Sequence, residues 1–239
     1  RSTVTYCTAE QLFEISNSDT SFAGDQIHFS TGSNSMKCFR LRDGMKVAYQ
    51  EWGVASQASK RILAMHGRLD NSNTFKLVAP HLAATGYHFI AIDMIGHGKS
   101  SHLGADGTYQ SSPVSVAVVN EVFENLGWDR ANIVGHSMGA GIGLMFAGTF
   151  PEKVSKLVMI EGLGPITAEP EATATNLRRT MEAERKYALK IASTTGGKSN
   201  APRIYPTFAD AVTARIRSVS TYPGTQSLSV EASRHLVGR

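Results

Sequence analysis

Residues 131–150 read ANIVGHSMGAGIGLMFAGTF, and this stretch decides the fold. Asn132 to Val134 is a short apolar run of the kind found in buried strands, and a helix rich in small residues is expected from about Met138 to Phe150, stopping before Pro151. Between them Gly135-His136-Ser137-Met138-Gly139 fits G-x-S-x-G. A strand that turns sharply into a helix lifts the residue at the bend above the sheet edge. The flanking glycines, Gly135 and Gly139, let the backbone pass close to its neighbours. The helix that follows aims its first N–H groups back at the bend, where they favour developing negative charge. Ser137 is therefore the candidate nucleophile and the Met138 N–H a candidate oxyanion donor. The competing reading is a structural serine in a glycine-rich turn, which the strand and helix on either side argue against.

Working outward, the chain alternates strands and helices. Lys37 to Leu41 and Met45 to Trp52 flank Arg42-Asp43-Gly44, whose Asp-Gly step supplies the positive φ of a tight hairpin. The runs Arg61 to Met65, His88 to Ile92, Asn132 to Val134 and Lys156 to Ile160 suit strands buried on both faces. After Pro113, Val114, Val118, Val119, Val122, Phe123 and Leu126 form one helical stripe that Gly127 ends. Phe75, Val78, Ala79 and Leu82 form a weaker stripe, with Pro80 near its start and Gly86 at its end. This rhythm implies crossover connections and an α/β fold, a mostly parallel, doubly wound sheet with helices on both faces. Beyond Ile160 it stops. Helical segments are expected over about Glu169 to Ile191, Thr207 to Ser218 and Ser229 to Val237, the pattern of an inserted helical cap. The expected organisation is a polar, mobile leader over 1–35, a core over 36–164 and a cap region over 165–239, with the last strands of the sheet missing.

Composition narrows the function classes. The chain carries +4 with a pI near 9.1, but its Lys and Arg are scattered without a basic run, which speaks against nucleic acid as a partner. No apolar stretch approaches the roughly 20 residues of a membrane span. Cys7 and Cys38 lack neighbours at metal-ligand spacing, so both read as ordinary thiols, with no metal and no cofactor expected. No signal peptide is visible, which points to a cytoplasmic or organellar setting rather than secretion. Oligomeric state leaves no trace in the sequence.

Two further loops follow predicted strands. Met65-His66-Gly67-Arg68-Leu69-Asp70 places an HG pair directly after a buried run, and we assign the second oxyanion donor to the Arg68 N–H, with Leu69 next in line. His66 is expected to shape this loop by bonding to backbone rather than to act as general base. In Asp93-Met94-Ile95-Gly96-His97-Gly98-Lys99-Ser100 there is neither phosphate-loop spacing nor a second carboxylate, so Asp93 and Ser100 are expected to tie a structural turn.

The HG loop, the D-x-x-G-H-G-x-S turn and the G-H-S-M-G elbow, in this order, resemble the α/β-hydrolase superfamily across residues 36–161. Within it, His66-Gly67-Arg68-Leu69-Asp70-Asn71, Phe75 and the segment Ser229 to Val237 resemble the serine hydrolase-like proteins, whose loop usually reads HGWLDN. Arg68 departs from that pattern. The resemblance implies hydrolysis of a small or medium ester, thioester or amide through an acyl-enzyme on Ser137, the substrate entering beneath the cap. It also implies the chain order Ser, acid, His. Glu161 directly follows the Lys156 to Ile160 strand, where haloalkane dehalogenases place their acid, and is the candidate acid here. A cap-hinge role is its alternative. His235 lies in a helical segment without a preceding strand and is a poor candidate base, so the catalytic histidine is expected beyond this chain. Two other functions stay open on the same scaffold: a C–C bond hydrolase and a non-catalytic ligand binder. A missing base and an unpaired sheet edge lead to the expectation of little turnover and poor stability.

Overall fold

The computed structural model describes residues 3–7, 37–55, 60–102, 112–162, 169–193, 205–220 and 227–238. The chain divides into two compact units, Arg1–Ser101 with Ser112–Pro165, and His102–Ser111 with Ile166–Arg239.

The first unit is built on seven strands: β1 (Thr3–Cys7), β2 (Lys37–Arg40), β3 (Lys46–Trp52), β4 (Lys60–Met65), β5 (Tyr87–Ile92), β6 (Ala131–His136) and β7 (Val154–Ile160). They form one sheet in the order β1-β7-β6-β4-β5-β3-β2. The β2–β3 and β3–β5 pairs are antiparallel, and all others are parallel. The hairpin expected at Asp43-Gly44 is present. Gly44 has φ 86°, and Met45 N–H donates to the Asp43 carboxylate at 2.9 Å.

Alternate residues along each central strand serve opposite faces. Leu63, Met65, Ile90, Ile92, Ile133, Leu157 and Met159 pack in one cluster with α2 (Ser112–Leu126) and α3 (Met138–Thr149), chiefly through Val119, Val122, Phe123, Ala140 and Phe146. Ile62, Ala64, Phe89 and Ala91 face the other way, toward Phe75 and toward Ala79 of α1 (Ala79–Ala84). Burial on both faces is why these strands are continuous apolar runs. The weaker stripe resolves into two pieces, a 3-10 turn over Ser72–Phe75 and then α1, with Pro80 in its first turn. Val114 was expected on the buried stripe, but in the first turn of α2 it is exposed.

Within the segment expected to be a polar, mobile leader, Thr3–Cys7 forms a strand that runs parallel to β7, with Thr3 opposite Lys156 and Cys7 opposite Ile160. The physical reason is local: Thr3, Val4, Thr5 and Tyr6 all favour extended backbone, a signal hidden by the polar stretch after them. Residues 1–2 and 8–35, the rest of that leader, lie outside the described residues, as does residue 36.

The second unit holds α4 (Thr173–Ser193), α5 (Phe208–Val219) and α6 (Val230–Val237). Thr207 caps α5 in a reciprocal box: its hydroxyl accepts from Asp210 N–H at 3.1 Å and the Asp210 carboxylate accepts from Thr207 N–H at 3.1 Å. Ser229 caps α6 through Ala232 N–H, and Arg234 lies over the Phe208 ring at 5.9 Å. Among the described residues no helix is long and apolar enough to cross a membrane.

Phe123 is fully buried in α2 and makes edge contact with Trp128 and a tilted contact with Phe146. Truncation to alanine should lower unfolding free energy by about 3–5 kcal/mol. Denaturant titration followed by Trp128 fluorescence measures it.

Candidate functional site

Ser137 is the single residue between β6 and α3, with φ 49° and ψ −110°. This backbone region is costly for a residue with a Cβ, on the order of 1–3 kcal/mol, and persists only where surroundings enforce it. They do so here. Ser137 N–H donates to the Ile160 carbonyl at 2.8 Å, and the Ser137 carbonyl accepts from Ala140 N–H at 3.0 Å. A Cβ on Gly135 would stand 2.4 Å from the Gly139 carbonyl oxygen, and one on Gly139 would stand 2.2 Å from that of Met65. Both glycines are thus demanded by contact, because the start of α3 lies directly against β6 and the end of β4. Ser137 is exposed, and its side chain makes no capping bond to the helix. Met138 opens α3, so its N–H has no carbonyl one turn back.

Among the described residues, the non-glycine residues with positive φ are Leu69, Ser137 and Glu161, at 63°, 49° and 50°. Each lies in the bend that follows β4, β6 or β7, and these three strands are neighbours in the sheet. Backbone strain is therefore concentrated at the carboxyl ends of adjacent parallel strands, where ligands of open α/β sheets bind.

The HG loop after β4 is fixed from beneath. His66 is fully buried, with Nδ1 2.7 Å from the Gly67 carbonyl and Nε2 accepting from Met94 N–H at 3.0 Å. That pairing requires the neutral ring with its proton on Nδ1. Burial is the main reason its pKa falls to about 4, with His97 and His136 nearby adding to the effect. Asn71 caps the following turn through Asn73 N–H, and buried Gln50 donates to Ser72 Oγ and Asn73 Oδ1. Arg68 and Leu69 form the outward part of the bend and are exposed.

Asp93 is fully buried and accepts from Ser72 N–H at 2.7 Å and Lys99 N–H at 2.8 Å, while the Ser100 hydroxyl bonds the Asp93 carbonyl and accepts from Ala48 N–H. A Cβ on Gly98 would collide with the Asp93 carboxylate at 2.2 Å. Asp93 ties three segments together and lies under the loops, away from the exposed bend.

Glu161 is half-exposed, and its carboxylate lies 3.3 Å from His136 Nε2. The other ring nitrogen of His136 lies 3.9 Å from the carboxylate of Asp70. Sequence reasoning missed this Asp70–His136–Glu161 cluster. The available signal was that Glu161 directly follows a predicted strand while His136 and Asp70 lie two and five residues past the ends of two others. His235 belongs to the second unit, 3.9 Å from Glu231 one turn earlier on α6. Among the described residues no group of three or more His, Cys, Asp or Glu side chains is arranged to hold a metal ion.

Residues 60–199 match the model of the α/β-hydrolase fold family. A serine hydrolase-like protein of Danio rerio is 38% identical over 138 residues, 58% of this chain and 41% of that relative. This chain thus spans about two fifths of that relative's length. The crystal structure of a hypothetical protein from Pseudomonas aeruginosa PAO1 superposes with a TM-score of 0.70 at 31% identity, over 85% of this chain and 64% of that one. A thioesterase domain from the curacin biosynthetic pathway superposes with a TM-score of 0.66 at 28% identity, over 86% and 66% of the respective chains.

Two outcomes are expected from this geometry. Gly139→Ala should destabilise the fold by about 3 kcal/mol, since the added methyl meets main chain rather than a flexible side-chain end, and thermal unfolding measures it. His66 titrates at about 4 in the folded chain against 6.5 when unfolded. The unfolded chain therefore takes up the proton first as pH falls. The His66 contribution is complete above pH 6.5 and lost progressively toward pH 4, so urea midpoints should fall across that window.

Proposed function

Because the chain belongs to the α/β-hydrolase fold family, we propose that it is the nucleophile-bearing part of a serine hydrolase acting on a small or medium ester, thioester or amide. The observation that carries this reading is the strained, exposed bend at Ser137, held at φ 49° between β6 and the N-terminus of α3. A backbone outlier of this kind is retained where it serves chemistry. The serine hydrolase-like relative supports the nucleophile, and the thioesterase neighbour supports an acyl substrate, thioesters included.

In this reading the Ser137 hydroxyl attacks the acyl carbonyl while a histidine base takes its proton and later returns it to the leaving group, and the carbonyl oxygen gathers negative charge. The N–H groups of Met138 and Arg68 receive that charge, aided by the dipole of α3. Collapse expels the alcohol, thiol or amine and leaves the acyl group on Ser137, and water then releases it as the acid. Glu161 is the carboxylate we assign to orient the base. One of its oxygens faces His136, leaving the other able to accept a second proton donor. His66 is excluded as the base, since both its nitrogens bond to main chain. His136 is excluded because both its nitrogens face carboxylates. A hydrolase deprived of its base retains only the acceleration supplied by binding and the oxyanion donors, about 10³–10⁴-fold over water.

The commitment of both these histidines also favours a second reading, a hydrolase-like pocket that binds an acyl ligand without turning it over. One experiment separates the two. In the full-length form a fluorophosphonate probe should label Ser137, and Ser137→Ala should abolish both labelling and the hydrolysis of p-nitrophenyl esters and acyl thioesters. Absence of labelling of that form at every accessible pH would refute the hydrolase reading and favour the binder.

A further inference from the structure

His136 occupies the variable position just before the proposed nucleophile, and neither the hydrogen-bonding of the elbow nor the proposed chemistry uses its side chain. Its ring is nevertheless placed with purpose. Nε2 lies 3.3 Å from the Glu161 carboxylate in the bend after β7, and Nδ1 faces the Asp70 carboxylate, 3.9 Å away, in the bend after β4. The Nδ1 atom is buried and makes no hydrogen bond. The loop on that side fits the ring closely, for a Cβ on Gly67 would stand 2.7 Å from Nδ1 and 3.4 Å from the Asp70 carboxylate. Glycine at that position is what lets the ring reach toward Asp70.

We infer that His136 is a positioning residue, a crosspiece bonded to Glu161 on one side and facing the Asp70 carboxylate on the other, that holds the two bends flanking Ser137 at fixed separation. Each ring nitrogen faces a carboxylate, so a proton on either one is held by the bend on its own side. The present gap to Asp70 closes to hydrogen-bond length with a movement of about 1 Å. Glu161 and Leu69, the neighbour of Asp70, hold positive φ, so the crosspiece joins the two strained bends that would otherwise relax independently. It acts through Arg68 N–H and Glu161 and does not touch the reacting atoms. Its effect on chemistry rests on the hydrolase reading; its mechanical effect does not.

The test uses His136→Phe, which keeps ring volume and removes both ring nitrogens, and reads amide hydrogen exchange. Exchange of Asp70 N–H, bonded to Gly67, and of Ser137 N–H, bonded to Ile160, should accelerate about tenfold, the scale of a lost charge-assisted hydrogen bond. Trp128 N–H, bonded to Phe123 in the α2 region, should keep its rate. Glu161→Gln should accelerate Ser137 exchange alone, and adding it to His136→Phe should bring little more. Unchanged rates in His136→Phe, or an equal rise at Trp128, would overturn the inference by showing no tie or mere loss of packing. In the full-length form of the same variant fluorophosphonate labelling should slow about tenfold yet remain dependent on Ser137. If the full-length parent does not label at all, the hydrolase reading fails while the exchange data still decide the crosspiece.

Discussion

The contact on which the rest of the first unit depends is main chain against main chain, at Gly139 and the Met65 carbonyl. A strand can pass into a helix through one residue only if the helix begins almost on top of the sheet, and here the first turn of α3 lies where a Cβ on Gly139 would be 2.2 Å from β4. That approach forces glycine at 135 and 139 and holds Ser137 in backbone space that a free serine avoids. The strain is offset by the core below it, where Ala140, Ile142 and Phe146 of α3 join the cluster that includes Ile133, Leu157 and Met159.

Parallel strands bring their carboxyl ends to one edge, and the sheet order puts β7, β6 and β4 side by side. The three bends that carry Glu161, Ser137 and Leu69 are therefore brought together by topology, although far apart in sequence. What differs is how each is supported. The bend after β4 is anchored from inside by His66, Gln50 and Asn71, and that after β6 by glycine contacts and the Ile160 carbonyl. The bend after β7 meets its neighbour through the Glu161 carboxylate, which faces His136, and through Gly162, where a Cβ would stand 3.0 Å from the Ser137 carbonyl oxygen.

The repeating parts of this architecture were legible in sequence because burial on both faces leaves a plain mark. Ile62-Leu63-Ala64-Met65 and Phe89-Ile90-Ala91-Ile92 are apolar without interruption, and Gly44 and Gly127 sit where positive φ is required. The glycines at 135 and 139 were legible as a motif, while the atoms they avoid were not. His136 escaped notice because its partners, Asp70 and Glu161, lie in the bends after other strands, and no spacing along the chain records a contact made across the sheet. β1 escaped for a different reason: five residues are too few to show a period, and the polar residues after them set the composition of the window.

That short strand also constrains the order in which the sheet is completed. β1 pairs with β7, which follows it by about a hundred and fifty positions along the polypeptide. Parallel ladders of such sequence separation form slowly, since the entropy of closing the intervening loop is lost before any bond is gained. During synthesis β1 must therefore wait, unpaired by β7, until that strand has emerged and folded, so this ladder gains its hydrogen bonds later than the local hairpin of β2 and β3 can.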